Sequence, residues 1–272
     1  MSYQERDLMI RGGTLHLYEM GDAGPLLILA HGFTDHGLCW LRLAQELAPH
    51  ARVVMYDARG HGRSDSPPTA FTREEMAKDL VALVDALGGE PPVIMGHSLG
   101  ADTAAWAAAL APERFLAVIL EDPPWNAALY ARHDAERRAR ADRERAQVES
   151  NRERSVGELE AFIRQHSPNW HEIEWRTWAE AKALMAPEAA EIIASPRAPW
   201  ETLVPRITCP VLLLTGDNDL GALTTPEAAA EVVRIGRRVQ HVHIAAAGHS
   251  LRRDQFEPVL RAVQQFLGDH GS

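Results

Sequence analysis

Short apolar runs alternate with longer stretches of helical periodicity along most of the chain. The runs are LLILA, RVVMY, VIMG, AVILE, VLLLT and VQHVHI, at positions 26–30, 52–56, 93–96, 117–121, 211–215 and 239–244. Apolarity that is nearly continuous predicts strands buried on both faces, as in a parallel sheet covered by helices. Ahead of them, DLMIR and TLHLYE flank Gly12-Gly13, which predicts an antiparallel hairpin.

Helical patterns fill most of the intervals between these strands. They cover residues 39–48, 72–87, 99–111, 226–235 and 255–266. Thr72 and Glu75 form a capping-box pattern at the start of the second helix, and Gly88-Gly89 ends it. Regular alternation of strand and helix predicts an α/β fold with a doubly wound sheet.

The alternation breaks between Asp122 and Pro210. This segment contains no strand-like run and is rich in Ala, Arg, Glu and Trp. Helical spacing of its apolar residues favours helices throughout. The sequence therefore predicts an all-helical lid at residues 123–205, inserted into a core formed by residues 1–122 and 206–272.

Amino-acid composition and net charge argue against some classes of partner and indicate the cellular compartment. The 28 Lys and Arg among 272 residues face 38 Asp and Glu, and this net charge of −10 argues against binding nucleic acid through its phosphates. No apolar run approaches the roughly 18 residues that a membrane span needs, and the first residues lack a signal-peptide pattern. Cys39 and Cys209 make no disulfide framework. We therefore expect a cytoplasmic protein without nucleic-acid or membrane partners, and a homodimer stays open.

The pentapeptide Gly96-His97-Ser98-Leu99-Gly100 carries the strongest chemical signal. It follows the strand at 93–96 and precedes an Ala-rich helix, which is the context of a nucleophile elbow. A serine on so tight a turn projects away from the backbone, and the helix behind it presents free N–H groups to an oxyanion. Ser98 is therefore the predicted nucleophile.

A second loop predicts the site that would hold the oxyanion. His31-Gly32-Phe33-Thr34 follows the strand at 26–30, and a glycine there lets the backbone turn toward the serine. The backbone N–H groups of Phe33 and Leu99 would then form a two-donor oxyanion hole. By itself the loop is equally compatible with a plain strand-ending turn.

Candidates for the general base and its carboxylate partner lie just after the later strands. His249, in AAAGHS between the last strand and the last helix, is placed to take a proton from a serine. Three aspartates follow strands and could orient it: Asp122, Asp217 and Asp219. The pattern of residues alone leaves all three open.

Five motifs together resemble the α/β-hydrolase superfamily. They are HGFTDHGLCW, YDARGHGRSDSP, GHSLGA, the late GDND and the final GHS. The resemblance covers the chain outside 123–205 and implies an eight-stranded, mostly parallel sheet, a variable lid and catalysis by Ser98, Asp219 and His249 without a metal or other cofactor. In that superfamily's usual register Asp219 ranks first as the acid, Asp122 second and Asp217 third, although Leu220-Gly221-Ala222 departs from the usual sequence that follows the acid.

A serine at the elbow selects a branch of chemistry. Relatives that resemble epoxide hydrolases and haloalkane dehalogenases use aspartate there, so Ser98 indicates acyl transfer. We expect hydrolysis of a carboxylic ester or lactone of a small to medium apolar substrate, with Trp125, Trp175 and Trp178 as candidate substrate-binding residues or, equally, packing residues. The alternatives are a non-catalytic ligand-binding member, an amidase, a carbon–carbon bond hydrolase and a cofactor-free perhydrolase or haloperoxidase.

Overall fold

One eight-stranded sheet organises the computed structural model, which describes residues 2–67, 71–131 and 133–270. Its spatial order is β1-β2-β4-β3-β5-β6-β7-β8, with β1, β2 and β4 joined antiparallel and every other pair parallel. The strands are β1 Gln4–Ile10, β2 Gly13–Met20, β3 Leu26–Ala30, β4 Arg52–Tyr56, β5 Val93–His97, β6 Ala117–Glu121, β7 Val211–Thr215 and β8 Val239–His243. The predicted α/β class and eight-stranded sheet are confirmed.

Twelve α-helices accompany the sheet in the described part of the chain. They are α1 Leu41–Leu47, α2 Arg73–Leu87, α3 Leu99–Leu110, α4 Ala127–Tyr130, α5 Asp134–Arg152, α6 Val156–His166, α7 Glu172–Leu184, α8 Glu191–Ala194, α9 Trp200–Leu203, α10 Pro226–Ile235, α11 Leu251–Asp254 and α12 Phe256–His270. Short 3₁₀ helices cover Gly37–Trp40, Pro112–Arg114, Pro187–Ala190, Val204–Arg206 and Asn218–Leu220.

The core lies on both faces of the sheet because successive strand residues point to opposite sides. On β5, Ile94 joins the buried cluster beneath α2 and α3, whereas Met95 joins the cluster beneath α1 and α12. Alanine occupies most buried positions of α3, which lets that helix pack closely behind the end of β5. The sheet therefore fixes the position of the residue that follows β5.

The last strand differs from its prediction. The run at 239–244 is apolar enough to predict a strand buried on both faces, but β8 pairs only with β7 and lies at the edge of the sheet. Its residues Gln240, His241 and His243 are exposed. An edge strand needs fewer apolar contacts, which explains its polar residues.

Helices α4 to α9 form the segment between β6 and β7, and the described residues there contain no strand. Caps set several of its helix boundaries: at α6, Ser155 Oγ accepts from Glu158 N while Glu158 accepts from Ser155 N. No helix in the described ranges is long and apolar enough to cross a membrane.

Candidate active site

Ser98 lies on the sharp turn between β5 and α3. Its backbone has φ 53° and ψ −116°, which is unfavourable for a residue with a side chain. The turn is tight because Gly96 and Gly100 approach each other: a Cβ on Gly96 would lie 2.2 Å from the carbonyl oxygen of Gly100. A Cβ on Gly100 would meet the carbonyl of Ala30 at 2.1 Å. The strained geometry predicted from GHSLG is therefore present.

His249 lies beside Ser98, as the sequence predicts. Its Nε2 is 2.9 Å from Ser98 Oγ, and its Nδ1 is 2.6 Å from Asp122 Oδ2. Since an ionised carboxylate can only accept, Nδ1–H donates to Asp122 and leaves Nε2 to accept the serine proton. His97 donates from Nε2 to the carbonyl oxygen of His249 at 2.9 Å and so holds the loop in position.

The carboxylate that meets His249 is Asp122, not Asp219. Asp122 is fully buried, and the backbone N–H groups of Leu223 and Thr224 also donate to it, at 2.8 and 2.9 Å. The loop after β7 therefore wraps over the end of β6 and supports a carboxylate there instead of supplying one. The prediction that Asp219 is the partner of His249 is therefore wrong, and Asp122, which ranked second, is the partner.

The two other aspartates lie elsewhere. Asp219 is exposed in the 3₁₀ helix Asn218–Leu220. Asp217 contacts His243 Nε2 at 2.8 Å and accepts from Ala246 N at 2.7 Å, so it fastens the chain that leaves β8. These hydrogen bonds lower the pKa of the Asp217 carboxyl. Its role is to hold the loop that leads to His249.

Strand order explains why Asp122 reaches the site. β5 and β6 are neighbours, and Ser98 N donates to the carbonyl oxygen of Glu121 at 2.9 Å. The two strands thus end side by side, with Ser98 and Asp122 as the next residues. Asp122 also has a positive φ of 41°, a second strained backbone at this edge. The sequence by itself shows neither the pairing of β5 with β6 nor the positive φ of Asp122.

The predicted oxyanion loop faces the same cavity. Phe33 and Leu99 both line it with Ser98 and His249. The loop is held from two sides: His61 Nε2 donates to the Phe33 carbonyl oxygen, and Lys182 donates to Thr34 O and Oγ1 at 2.6 and 2.7 Å. These contacts keep the loop in place, and oxyanion binding by the two N–H groups stays a prediction.

The cavity has a volume of about 370 Å³ and lies between the sheet edge and the helical insertion. Its apolar wall includes Leu129, Trp170, Trp178, Ile193 and Leu223. Charged side chains also line it, which the sequence analysis missed: Asp35, Arg73, Arg140, Glu144, Lys182, Arg197 and Arg253. The only hint in the sequence is the Arg252-Arg253 pair that directly follows the GHS loop.

Of the three predicted tryptophans, only Trp178 lines the cavity. Trp125 is fully buried, where it stacks on Trp200 and donates from Nε1 to Asp102 at 3.1 Å. Trp175 donates to the Ser167 carbonyl oxygen at 2.8 Å and packs under Arg164. Neither contact reaches the cavity, so the substrate-binding assignment of both is corrected to packing. Trp170, which was not among the candidates, lines the cavity.

Replacing Trp178 by alanine is expected to change the ratio of kcat/KM between long and short acyl chains by about tenfold, because that ring lines the cavity. Trp175→Ala is the matched control, since it removes the same side chain from the same helix outside the cavity. We expect it to lower the free energy of unfolding by about 1–3 kcal/mol and leave the preference unchanged. The measurements are kcat/KM for a series of 4-nitrophenyl esters and urea unfolding. If Trp178→Ala protein kept the wild-type preference among acyl chain lengths, both tryptophans would be assigned to packing.

A buried ionic network joins α7 to the sheet edge. Asp35 lies 3.1 Å from Arg253 and 3.8 Å from Lys182, while Arg253 also contacts Glu174 of α7 at 3.1 Å. Burial by itself raises the pKa of the Asp35 carboxyl, but the charges of Arg253, Lys182 and Arg252 and the contact with His97 together outweigh burial and hold that pKa well below its usual range. His36 adds a contact to the carbonyl oxygen of Thr177 on the same helix. This part of the insertion is firmly attached to the core.

Lys182 should give the protein a measurable pH dependence of stability. Burial lowers its pKa from 10.5 to about 8, with the charge of Asp35 opposing the shift. Between pH 8 and 10.5 the unfolded chain therefore binds more protons at this lysine than the folded chain, so its contribution to stability rises with pH. Lys182→Met lacks this contribution.

We expect the melting temperature of the wild type, relative to Lys182→Met, to rise by roughly 5 °C between pH 7.5 and 9.5. Scanning calorimetry of both proteins at each pH gives the difference, in which other titrating groups cancel. A difference that is constant or falls with pH would show that Lys182 is not held at a depressed pKa.

Among the described residues, no group of three or more His, Cys, Asp or Glu side chains is placed to hold a metal ion. Ser98 and His249 line the cavity, and Asp122 contacts the His249 ring on the side away from Ser98. The structure therefore brings the predicted nucleophile and base together, whereas the predicted acid and two of the three tryptophans lie elsewhere.

Comparison with known proteins agrees with this architecture. Residues 25–251 match the family model described as alpha/beta hydrolase fold. The 2-(acetamidomethylene)succinate hydrolase of Mesorhizobium japonicum is 27% identical over 93% of this chain and 91% of its own length. The N-formylmaleamate deformylase of Pseudomonas putida is 26% identical over 94% and 92%. The structure of a thermophilic esterase from Thermogutta terrifontis superposes with a TM-score of 0.78, at 27% identity, and covers 99% of this chain and all of that one. The chain belongs to the alpha/beta hydrolase family.

Proposed function

We propose that this protein is a serine hydrolase that cleaves a carboxylic ester or lactone through an acyl-enzyme. The observation that carries the proposal is the continuous hydrogen-bonded chain from Ser98 Oγ through the His249 ring to Asp122. This is the arrangement that activates a serine hydroxyl for attack on a carbonyl. The similarity in fold to an esterase supports the same chemistry.

The first half of the reaction forms the acyl-enzyme. Ser98 Oγ attacks the substrate carbonyl carbon while its proton moves to His249 Nε2. The backbone N–H groups of Phe33 and Leu99 stabilise the oxyanion of the tetrahedral intermediate. When that intermediate collapses, the bond to the leaving alcohol breaks and His249 returns the proton to the alcohol oxygen.

Water then releases the acyl group by the same steps. His249 Nε2 takes a proton from the water as its oxygen attacks the acyl carbonyl, and the second tetrahedral intermediate expels Ser98. The carboxylic acid leaves, and the serine regains its proton. Asp122 stays ionised throughout and stabilises the imidazolium form of His249.

Turnover of 4-nitrophenyl butyrate tests the proposal. A serine hydrolase should release many equivalents of 4-nitrophenol per protein chain. Release of no more than one equivalent, or binding without release, would favour the alternative of a non-catalytic ligand-binding member of the family. A panel of lactones and longer esters then narrows the substrate.

Amide cleavage is a second candidate, and a specific observation favours it. Two relatives that align over more than nine-tenths of this chain are named for acetamido and N-formyl compounds, whose bonds to nitrogen are amides. The same residues could perform it, with His249 protonating a leaving nitrogen. Matched pairs of esters and amides with one acyl group distinguish the two activities by their kcat/KM values.

A further inference from the structure

The direction of the Phe33 N–H is set by the peptide group that it shares with Gly32. The carbonyl oxygen of Gly32 accepts hydrogen bonds from His31 Nδ1 at 2.8 Å and from Asp35 N at 3.1 Å. The described residues contain no cis peptide bond, and in a planar trans peptide group the N–H points away from the carbonyl oxygen. Within the described ranges the Phe33 N–H donates to no other group of the protein, so it remains available to an oxyanion.

Two side chains hold the second half of the oxyanion loop, residues 31–34. His61, in the turn after β4, donates from Nε2 to the Phe33 carbonyl oxygen. Lys182, near the end of α7, donates to Thr34 O at 2.6 Å and to Thr34 Oγ1 at 2.7 Å. Lys182 therefore joins the loop directly to the helical insertion, whereas His61 belongs to the core.

The Lys182 ammonium group is buried, and the nearby carboxylate of Asp35 is not hydrogen-bonded to it. The two groups lie 3.8 Å apart, whereas Arg253 approaches Asp35 to 3.1 Å. Burial lowers the pKa of Lys182 to about 8, although the charges of Asp35 and Glu144 oppose the shift. Removing an ammonium group from water costs stability. Such perturbed groups cluster at functional sites, and Lys182 lines the cavity beside Ser98.

We propose that Lys182 is a positioning residue for the reaction at Ser98: by holding Thr34, it keeps the Phe33 N–H directed at the oxyanion. Thr34 follows Phe33 directly, so a displaced Thr34 carbonyl would turn the peptide groups that precede it. An oxyanion donor is effective only at about 2.7–3.1 Å from the oxygen that it stabilises. The inference rests on the proposed acyl transfer and adds that α7 supports the chemical step as well as lining the cavity.

Lys182→Ala protein should lose about 10- to 100-fold in kcat for 4-nitrophenyl butyrate, while KM changes by less than about threefold. The loss falls on kcat because the oxyanion develops only after the ester is bound. Arg176→Ala is the matched control, because it removes an exposed cation of the same helix that contacts Glu180 at 2.6 Å, and it should leave both constants unchanged. An unchanged kcat in Lys182→Ala, or a loss confined to KM, would overturn the proposal.

Thr34→Val tests the same contact from its other side. It removes the Oγ1 acceptor and keeps the size of the side chain, so it should lower kcat by about three- to tenfold while the protein stays folded. This variant decides the question if Lys182→Ala does not fold. Wild-type kcat in folded Thr34→Val protein would then reject the proposal.

Added amines distinguish a hydrogen bond from a through-space effect of charge. Ethylammonium has three N–H donors and can enter the space left by the shortened side chain, whereas tetramethylammonium carries the same charge without a donor. In Lys182→Ala protein we expect ethylammonium chloride to raise kcat by about tenfold and tetramethylammonium chloride to leave it unchanged. Equal rescue by both ions, or by neither, would contradict a role through hydrogen bonding to Thr34.

Binding of butylboronic acid separates this inference from the proposed ester hydrolysis. A boronic acid adds to a serine oxygen, and the resulting tetrahedral anion presents an oxygen to the oxyanion donors. Calorimetric titration, which needs no turnover, should show about tenfold weaker binding to Lys182→Ala than to wild-type protein. Such a result supports the role of Lys182 even if the protein releases no 4-nitrophenol. Equal affinities would reject that role even if the wild type hydrolyses the ester.

Discussion

Ser98→Ala protein should lose at least about a thousandfold in kcat/KM for 4-nitrophenyl butyrate while it unfolds at nearly the wild-type temperature. The hydroxyl oxygen is removed from the end of the chain that leads through His249 to Asp122, so no atom remains to attack the carbonyl. The backbone strain at this position remains, because alanine keeps the Cβ. Stopped assays with blank subtraction and thermal melts measure the two quantities.

A fluorophosphonate probe gives an independent readout of the same prediction. It should label wild-type protein once and Ser98→Ala protein not at all. Ser155→Ala is a useful contrast: it removes the cap of α6, so it should lower stability by about 1 kcal/mol and leave labelling intact. Labelling at another residue, or substantial activity in Ser98→Ala, would mean that the nucleophile is elsewhere.

The fold follows closely from the hydrophobic pattern, and its deviations have local causes. The predicted helix at 39–48 divides into a 3₁₀ turn at Gly37–Trp40 and α1, and the last helix runs on to His270. Both differences lie at helix ends, where apolar periodicity is weakest as a signal. The bounds of the strands that were predicted from apolar runs agree with the structure to within about one residue.

The nucleophile and base could be predicted because each depends on its immediate neighbours. Ser98 needs a strand, two small residues and a helix, all of which are contiguous in the sequence. The acid depends on which strand lies beside β5 and on how the loop after β7 folds over it. The N–H groups of Leu223 and Thr224 converge on Asp122 from a hundred residues away in the chain, and no local pattern encodes that contact.

The cavity lining was the least predictable part for the same reason. Trp175 and Trp178 are three residues apart on one helix, yet one binds a backbone carbonyl and the other faces the cavity. The charged residues that line the cavity come from elements as far apart in the sequence as Asp35 and Arg253. The composition gives the negative net charge of the whole chain, but it does not show that cationic side chains outnumber anionic ones among the residues that line the cavity.

Asp122→Asn should be the most damaging of three aspartate substitutions, with kcat reduced by on the order of 10⁴-fold. An asparagine oxygen could still accept from the His249 ring, but it carries no charge to stabilise the imidazolium. Its amide nitrogen would moreover face a donor, because both oxygens of Asp122 already accept from backbone N–H groups. Either the His249 tautomer changes or a buried donor is left unpaired, which costs about 1–3 kcal/mol.

The matched controls are the two aspartates after β7. Asp219→Asn changes an exposed side chain and should keep kcat within a factor of about two. Asp217→Asn weakens the hydrogen bonds to Ala246 N and His243, so it should lower stability by about 1 kcal/mol and activity only mildly. Nitrogen NMR of the His249 ring in each protein reports which ring nitrogen carries the proton. If Asp219→Asn were crippled while Asp122→Asn stayed active, the acid would come from the loop after β7, and the contact between His249 and Asp122 would serve only to position the ring.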